Sequence, residues 1–175
     1  MKTIVYIGTS LDGFIARKDG DLDWLVKFEK PVKDDYAKFI SKIDAVVIGR
    51  GTFEKVLTYP SWPYEKKVYV LSTSLKKLPS MLMGKATVLS MKTRALLKYL
   101  SNEGFSNIYV DGGNVIQSYL KDDCIDEMII TKAPVLIGSG IPLFGELDKG
   151  LPFKHVRTKV YSNGLVKSHY KRKRT

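Results

Sequence analysis

Hydrophobic and polar positions along the chain fall into two alternating patterns. Short, nearly continuous apolar runs at residues 2–8, 45–49, 67–72, 87–90, 107–111 and 127–133 predict strands buried on both faces. A strand covered on one face only would alternate apolar with polar. Between these runs lie stretches of helical period. Tyr36, Phe39, Ile40 and Ile43 share one face of a helix predicted over residues 34–43. Leu96, Leu97 and Leu100 do the same in residues 92–103, with Gly104 placed as the stop. Glycines open a third helix over residues 113–120, and a helical turn begins near Thr52. Two last strands, 153–161 and 165–170, flank Asn163-Gly164, a pair that predicts a type I′ hairpin because both residues tolerate positive φ.

Strand–helix alternation implies parallel crossovers with helices on both faces, and the terminal hairpin implies antiparallel strands at one edge. The expected fold is α/β, a mixed, mostly parallel sheet of about eight strands in three layers. The 175 residues suit one domain, expected over residues 1–170, with residues 171–175 as a basic C-terminal tail. Ligands of such sheets gather at the carboxyl ends of strands.

Composition narrows the function classes. Cys124 is the only cysteine, which excludes an internal disulfide and argues against a thiolate metal cluster. No metal site is expected, and the reduced thiol fits a cytoplasmic protein. No stretch approaches the ~20 apolar residues of a membrane span. The formal net charge is +11, and the five cations Lys167, Lys171, Arg172, Lys173 and Arg174 supply nearly half of it. They read as a solvated, partly frayed tail that aids solubility. No zinc finger, basic-region heptad or aromatic RNA-binding motif accompanies them, so no nucleic-acid partner is expected.

Five segments at strand ends carry the candidate chemistry. Gly49-Arg50-Gly51-Thr52 follows a buried strand and opens a helical turn, where a guanidinium fork, a hydroxyl and free N–H groups can grip a phosphate. Ser72 and Thr73 end the next strand and would converge on the same phosphate if the two strands are neighbours. Asp111-Gly112-Gly113-Asn114 joins a strand to a helix, and its glycines permit close approach to a pyrophosphate. The long loop after the first strand carries Asp12 and Trp24, the latter able to stack on a flat ring or to pack in the core. The apolar stretch with Pro134 and Leu136 could form a pocket wall. Neither GxGxxG nor GxxxxGK[ST] is present, which argues against an ordinary Rossmann dehydrogenase and a P-loop ATPase.

On SLDGFIA at 10–16, VIGRGTFE at 47–54, VLSTS at 70–74, VDGGNVIQ at 110–117 and DEMIITKAPVLIGSGIPLF at 126–144, the chain resembles the dihydrofolate reductase superfamily. It resembles more closely the reductase domain of riboflavin-biosynthesis enzymes, the RibD C-terminal domain, and best of all its stand-alone members. The resemblance implies an NADPH-dependent reductase of a small pteridine- or pyrimidine-like molecule, and a homodimer. It implies that Gly49, Arg50, Thr52, Ser72 and Thr73 hold the adenosine-side 2′-phosphate and its surroundings. Gly112, Gly113 and Asn114 would hold the pyrophosphate, and Asp12, Trp24, Pro134 and Leu136 would face the substrate. The proton that accompanies hydride transfer is left to Asp12, to Asp34 or Asp35 on the first long helix, or to water. The alternative reading is a nucleotide- or flavin-binding protein without catalysis on the same fold.

Overall fold

The computed structural model describes residues 1–28 and 33–174. Its main sheet has eight strands: β1 (Lys2–Thr9), β3 (Ala45–Gly49), β4 (Lys67–Leu71), β5 (Ala86–Leu89), β6 (Asn107–Asp111), β7 (Glu127–Lys132), β9 (Phe153–Val160) and β10 (Val166–Arg172). They stand in the order β5-β4-β3-β6-β1-β7-β10-β9. The first six are parallel, and β10 runs antiparallel to both β7 and β9. The sequence pattern did not indicate a second small sheet, β2 (Phe14–Ala16) paired with β8 (Ile141–Pro142), because each strand is too short to show a period.

Helices cover both faces. On one side α2 (Lys33–Ile40) and α3 (Arg50–Val56) bury Phe39, Ile40, Phe53 and Val56 against Val46, Ile48, Val68 and Val70. On the other, α4 (Thr93–Asn102) and α5 (Gly113–Lys121) bury Leu96, Leu100, Ile116 and Tyr119 against Val47, Ile108 and Val110. α4 ends as its sequence predicts: the Phe105 N–H reaches back to the Leu100 carbonyl over Gly104, which stands at φ +85°. A short α1 (Asp23–Val26) packs near the end of β1.

Two local expectations are corrected. The hairpin turn is not type I′, since Gly164 alone has positive φ (+87°) and Asn163 does not. The Gly164 N–H bonds the Tyr161 carbonyl and the Tyr161 N–H bonds the Leu165 carbonyl, which is a type I turn closed by a glycine bulge. The basic tail is not frayed either. β10 continues through Arg172, whose guanidinium grips Asp123 in bidentate fashion (2.7 and 3.1 Å) with only 7% of its side chain exposed. Arg174 bonds Asp126, Lys171 faces Glu127, and Lys167 bonds Asp35. These residues are locked by acids that lie far away in sequence; Thr175 lies outside the described residues.

Candidate functional site at the carboxyl ends of the parallel strands

β3, β4 and β5 succeed one another toward one edge, whereas β6 returns to the other side of β3. That reversal opens a crevice where the loops diverge. A cavity of about 1540 Å³ lies there. All eight residues expected to hold a cofactor line it: Gly49, Arg50 and Thr52 after β3, Ser72 and Thr73 after β4, and Gly112, Gly113 and Asn114 after β6.

The local geometry explains the residue types. Arg50 donates from Nη1 to Ser74 Oγ (2.7 Å) and forms an ion pair with Glu54 (3.1 Å), with its side chain about half exposed. It is therefore aimed, yet able to meet an anion. Ser72 Oγ accepts the N–H groups of Ser74 and Leu75 (3.2 and 2.9 Å) and so shapes the turn. Ser74 is thus the hydroxyl that Arg50 selects, a pairing that adjacency in sequence does not disclose. Thr52 is not a helix cap, as α3 begins two residues earlier. Its hydroxyl instead abuts Gly112, where an added Cβ would lie 2.2 Å from Thr52 Oγ1. Gly112 also stands at φ +91°, so both backbone and packing demand glycine where α3 meets the start of α5.

The cavity continues past this turn into a cluster of tyrosines, Tyr6, Tyr36, Tyr59, Tyr64 and Tyr109, with Asp111 among them. Asp111 ends β6. Its Oδ2 accepts the Tyr64 hydroxyl (2.9 Å) and its Oδ1 the Gly112 N–H (2.8 Å). Burial pushes the Asp111 carboxyl above its ordinary range, because desolvation disfavours the charged form. Burial also holds Tyr6 and Tyr36 at about 12 and Tyr64 well above 10, so all three are neutral hydroxyls at physiological pH. The sequence offered one signal for this site, a carboxylate beside two glycines at a strand end; the tyrosines come from β1, α2, β6 and the stretch after α3, and only folding unites them.

The residues expected to face the substrate are elsewhere, as are the catalytic candidates. Trp24 is 4% exposed and packs with Ala133, Tyr161 and Leu165 under the C-terminal hairpin; its neighbour Leu25 lines the cavity instead. Asp12 stitches two loops together, accepting Ser10 Oγ (2.5 Å) and the N–H groups of Ile137 (3.3 Å) and Gly138 (2.8 Å). Pro134 lies against Gly164, and Leu136 projects outward, 68% exposed. Asp35 receives Lys167, Tyr161 and Lys159, and these bonds, with that from Lys167 foremost, hold its carboxyl far below the usual range. It is a fixed anion joining α2 to the hairpin. Asp34 makes no ion pair among the described residues and does not line the cavity.

Comparison with known proteins agrees with this architecture. A family profile described as the RibD C-terminal domain matches residues 1–167. The uncharacterized protein YwjB of Bacillus subtilis (strain 168) is 41% identical over 175 residues, with 98% of each chain covered. The crystal structure of a putative riboflavin biosynthesis protein from Shewanella sp. PV-4 superposes with a TM-score of 0.94 at 41% identity, covering 99% of this chain and 100% of that one. Dihydrofolate reductase from Enterococcus faecalis, solved with NADP(H), shares the fold at a TM-score of 0.69 and 17% identity, with 98% and 96% covered. With a reductase-type fold, a crevice at the switch in strand order and a profile match across nearly its whole length, the chain belongs to the RibD C-terminal domain family.

Proposed function

We propose that this protein is an NADPH-dependent reductase of a small, flat molecule, working in the cleft at the ends of β3, β4 and β6. The observation that carries the reading is convergence. Three separate junctions, each weak alone, bring a guanidinium, a row of hydroxyls and a glycine-opened helix start into one cavity. NADP(H) occupies the dihydrofolate reductase of the same fold. The residues here fit such a cofactor. Arg50 and the Ser72–Ser74 turn would hold the 2′-phosphate, and Gly112, Gly113 and Asn114, at the positive end of α5, would hold the pyrophosphate.

When bound, the nicotinamide supplies a hydride. The protein aligns two flat rings and keeps water away. Ile7, Ile15, Leu25 and Ile141 give the cavity an apolar wall, and the tyrosine cluster opposes it with neutral donors. We assign the accompanying proton to Asp111, the cavity carboxyl that burial shifts above its ordinary range and that bonds the Tyr64 hydroxyl.

The test is NADPH oxidation in the presence of pteridine, pyrimidine and carbonyl compounds. The expected result is turnover that falls as pH rises through the raised Asp111 value. Asp111→Asn should lower kcat by roughly 10²–10⁴-fold and remove that alkaline limb. NADPH binding without turnover of any of these classes would overturn the reductase reading in favour of a binding protein; binding of neither nucleotide would overturn both.

A further inference from the structure

The excess positive charge of this chain does not reside in its C-terminus, where Lys167, Lys171, Arg172 and Arg174 all meet carboxylates. Part of it lies on the sheet face that carries α2, at the end of the sheet that this helix does not cover. Cross-strand register shows how. Successive rows across β1, β7, β10 and β9 read Ile4-Glu127-Lys171-Lys154, Tyr6-Ile129-His169-Arg157 and Gly8-Thr131-Lys167-Lys159. Each row ends in cations on the last two strands, apart from His169 in the middle one. Lys38 and Lys42, on α2 and just beyond it, border the same face.

The middle row, with Ile4, Glu127, Lys159 and Lys167 of its neighbours, lines a second cavity of about 570 Å³, within the range of small-molecule sites. Its lining holds six cations, Lys2, Lys38, Lys42, Arg157, Lys159 and Lys167, and two carboxylates, Asp35 and Glu127. Both carboxylates are already engaged: Lys159 and Lys167 share Asp35, while Lys2 and His169 share Glu127. Lys38, Lys42 and Arg157 make no ion pair among the described residues. One buried polar atom on the lining residues, His169 Nδ1, also lacks a hydrogen-bond partner; Tyr6 Oη, likewise unpaired, belongs to a residue that also lines the main cleft. Buried polar groups left unpaired are uncommon, and a hollow with four positive charges in excess raises the local concentration of anions.

We propose that this cavity is a second ligand site, distinct from the NADPH cleft, that takes a small multiply charged phosphate compound with Arg157, Lys38 and Lys42 as its free contacts. The concavity favours a compact ligand over a polymer, which needs an open track along which charge repeats. The exposed edge strand β9 carries Lys154, Arg157 and Lys159, a density of charge that disfavours edge-to-edge pairing with a second copy.

The probe is inorganic pyrophosphate, titrated into the full protein by calorimetry at two salt concentrations. The expected result is saturable, salt-sensitive binding that Arg157→Glu weakens by roughly tenfold or more, the scale of one hydrogen bond to a charged group. Lys38→Glu, on a different element, should act in the same direction, and both variants should keep wild-type NADPH affinity, which also shows that they fold. Arg50→Ala should leave pyrophosphate binding intact. Retention of pyrophosphate binding in Arg157→Glu, whether or not Arg50→Ala weakens it, would place the anion in the cofactor cleft and overturn the proposal. So would absence of saturation, or tighter binding of a single-stranded oligonucleotide than of pyrophosphate with the same sensitivity to Arg157→Glu.

Discussion

The two sides of the main cleft are built differently. On the side of β3, β4 and β6, functional groups hang from short junctions directly after buried strands, and each has an incomplete set of partners. Arg50 is half exposed, Asn114 is exposed, and Thr52 packs so closely on Gly112 that only glycine fits the turn. On the side of β1 and β7, the long loops satisfy one another. Asp12 holds Gly138, Leu11 N–H bonds the Val135 carbonyl, and Trp24 fills the space beneath Tyr161 and Leu165. Arg50 and Asn114 line the cavity with donors to spare, whereas Asp12 is engaged by three donors and Trp24, whose buried Nε1 finds no partner, is packed beneath the hairpin.

That contrast can be broken by substitution. Trp24→Ala removes a side chain that is almost fully buried, so it should cost about 3–5 kcal/mol in chemical denaturation. NADPH affinity of the folded fraction should be unchanged; a large loss of affinity at intact stability would return Trp24 to the site. Gly112→Ala should cost about 1–3 kcal/mol from the forced φ alone and also weaken nucleotide binding, because the new Cβ pushes Thr52 away. Gly112→Ala combined with Thr52→Ala relieves the contact but not the dihedral, so it should recover part of the binding and little of the stability.

Asp35→Asn should have the smallest effect, lowering Tm by a few degrees near neutral pH. Because the native carboxyl is held far below its ordinary range, Asp35 stabilises the fold above about pH 4, where the unfolded carboxyl is ionised, and loses that contribution as pH falls further. The variant should therefore show a flatter stability curve on the acid side, with unchanged turnover. Lost turnover at unchanged stability would make Asp35 catalytic after all.

The same contrast explains how far the amino-acid sequence could be read. The six parallel strands and the helices between them were legible because burial on two faces writes continuous apolar runs, and a helix writes a 3.6-residue period. The convergence of the Gly49–Thr52, Ser72–Thr73 and Gly112–Asn114 junctions was legible because parallel topology brings every strand's carboxyl end to one edge, so residues at strand ends meet whatever their distance in sequence. What a long-loop side chain touches follows from packing instead. Asp12 and Trp24 have the right chemistry for a site, but Asp12 bonds the Ile137–Gly138 loop, Trp24 packs under the hairpin, and neither lines the cavity. Asp111 was hidden for the opposite reason. Its role depends on burial and on Tyr64, a residue 47 positions away. The frayed reading of the C-terminus failed similarly, since Asp123 and Asp126, which pin Arg172 and Arg174, lie in a separate turn before β7.

The central claim is that the Arg50 side of the cleft recognises a phosphate carried by the cofactor. It is tested most directly by titrating the protein and its Arg50→Ala variant with NADPH and NADH, following nucleotide fluorescence. The account predicts clear preference of the wild type for NADPH, reduced by roughly tenfold or more in Arg50→Ala, with NADH affinity nearly unchanged. Equal weakening of both nucleotides, or no preference in the wild type, would contradict it.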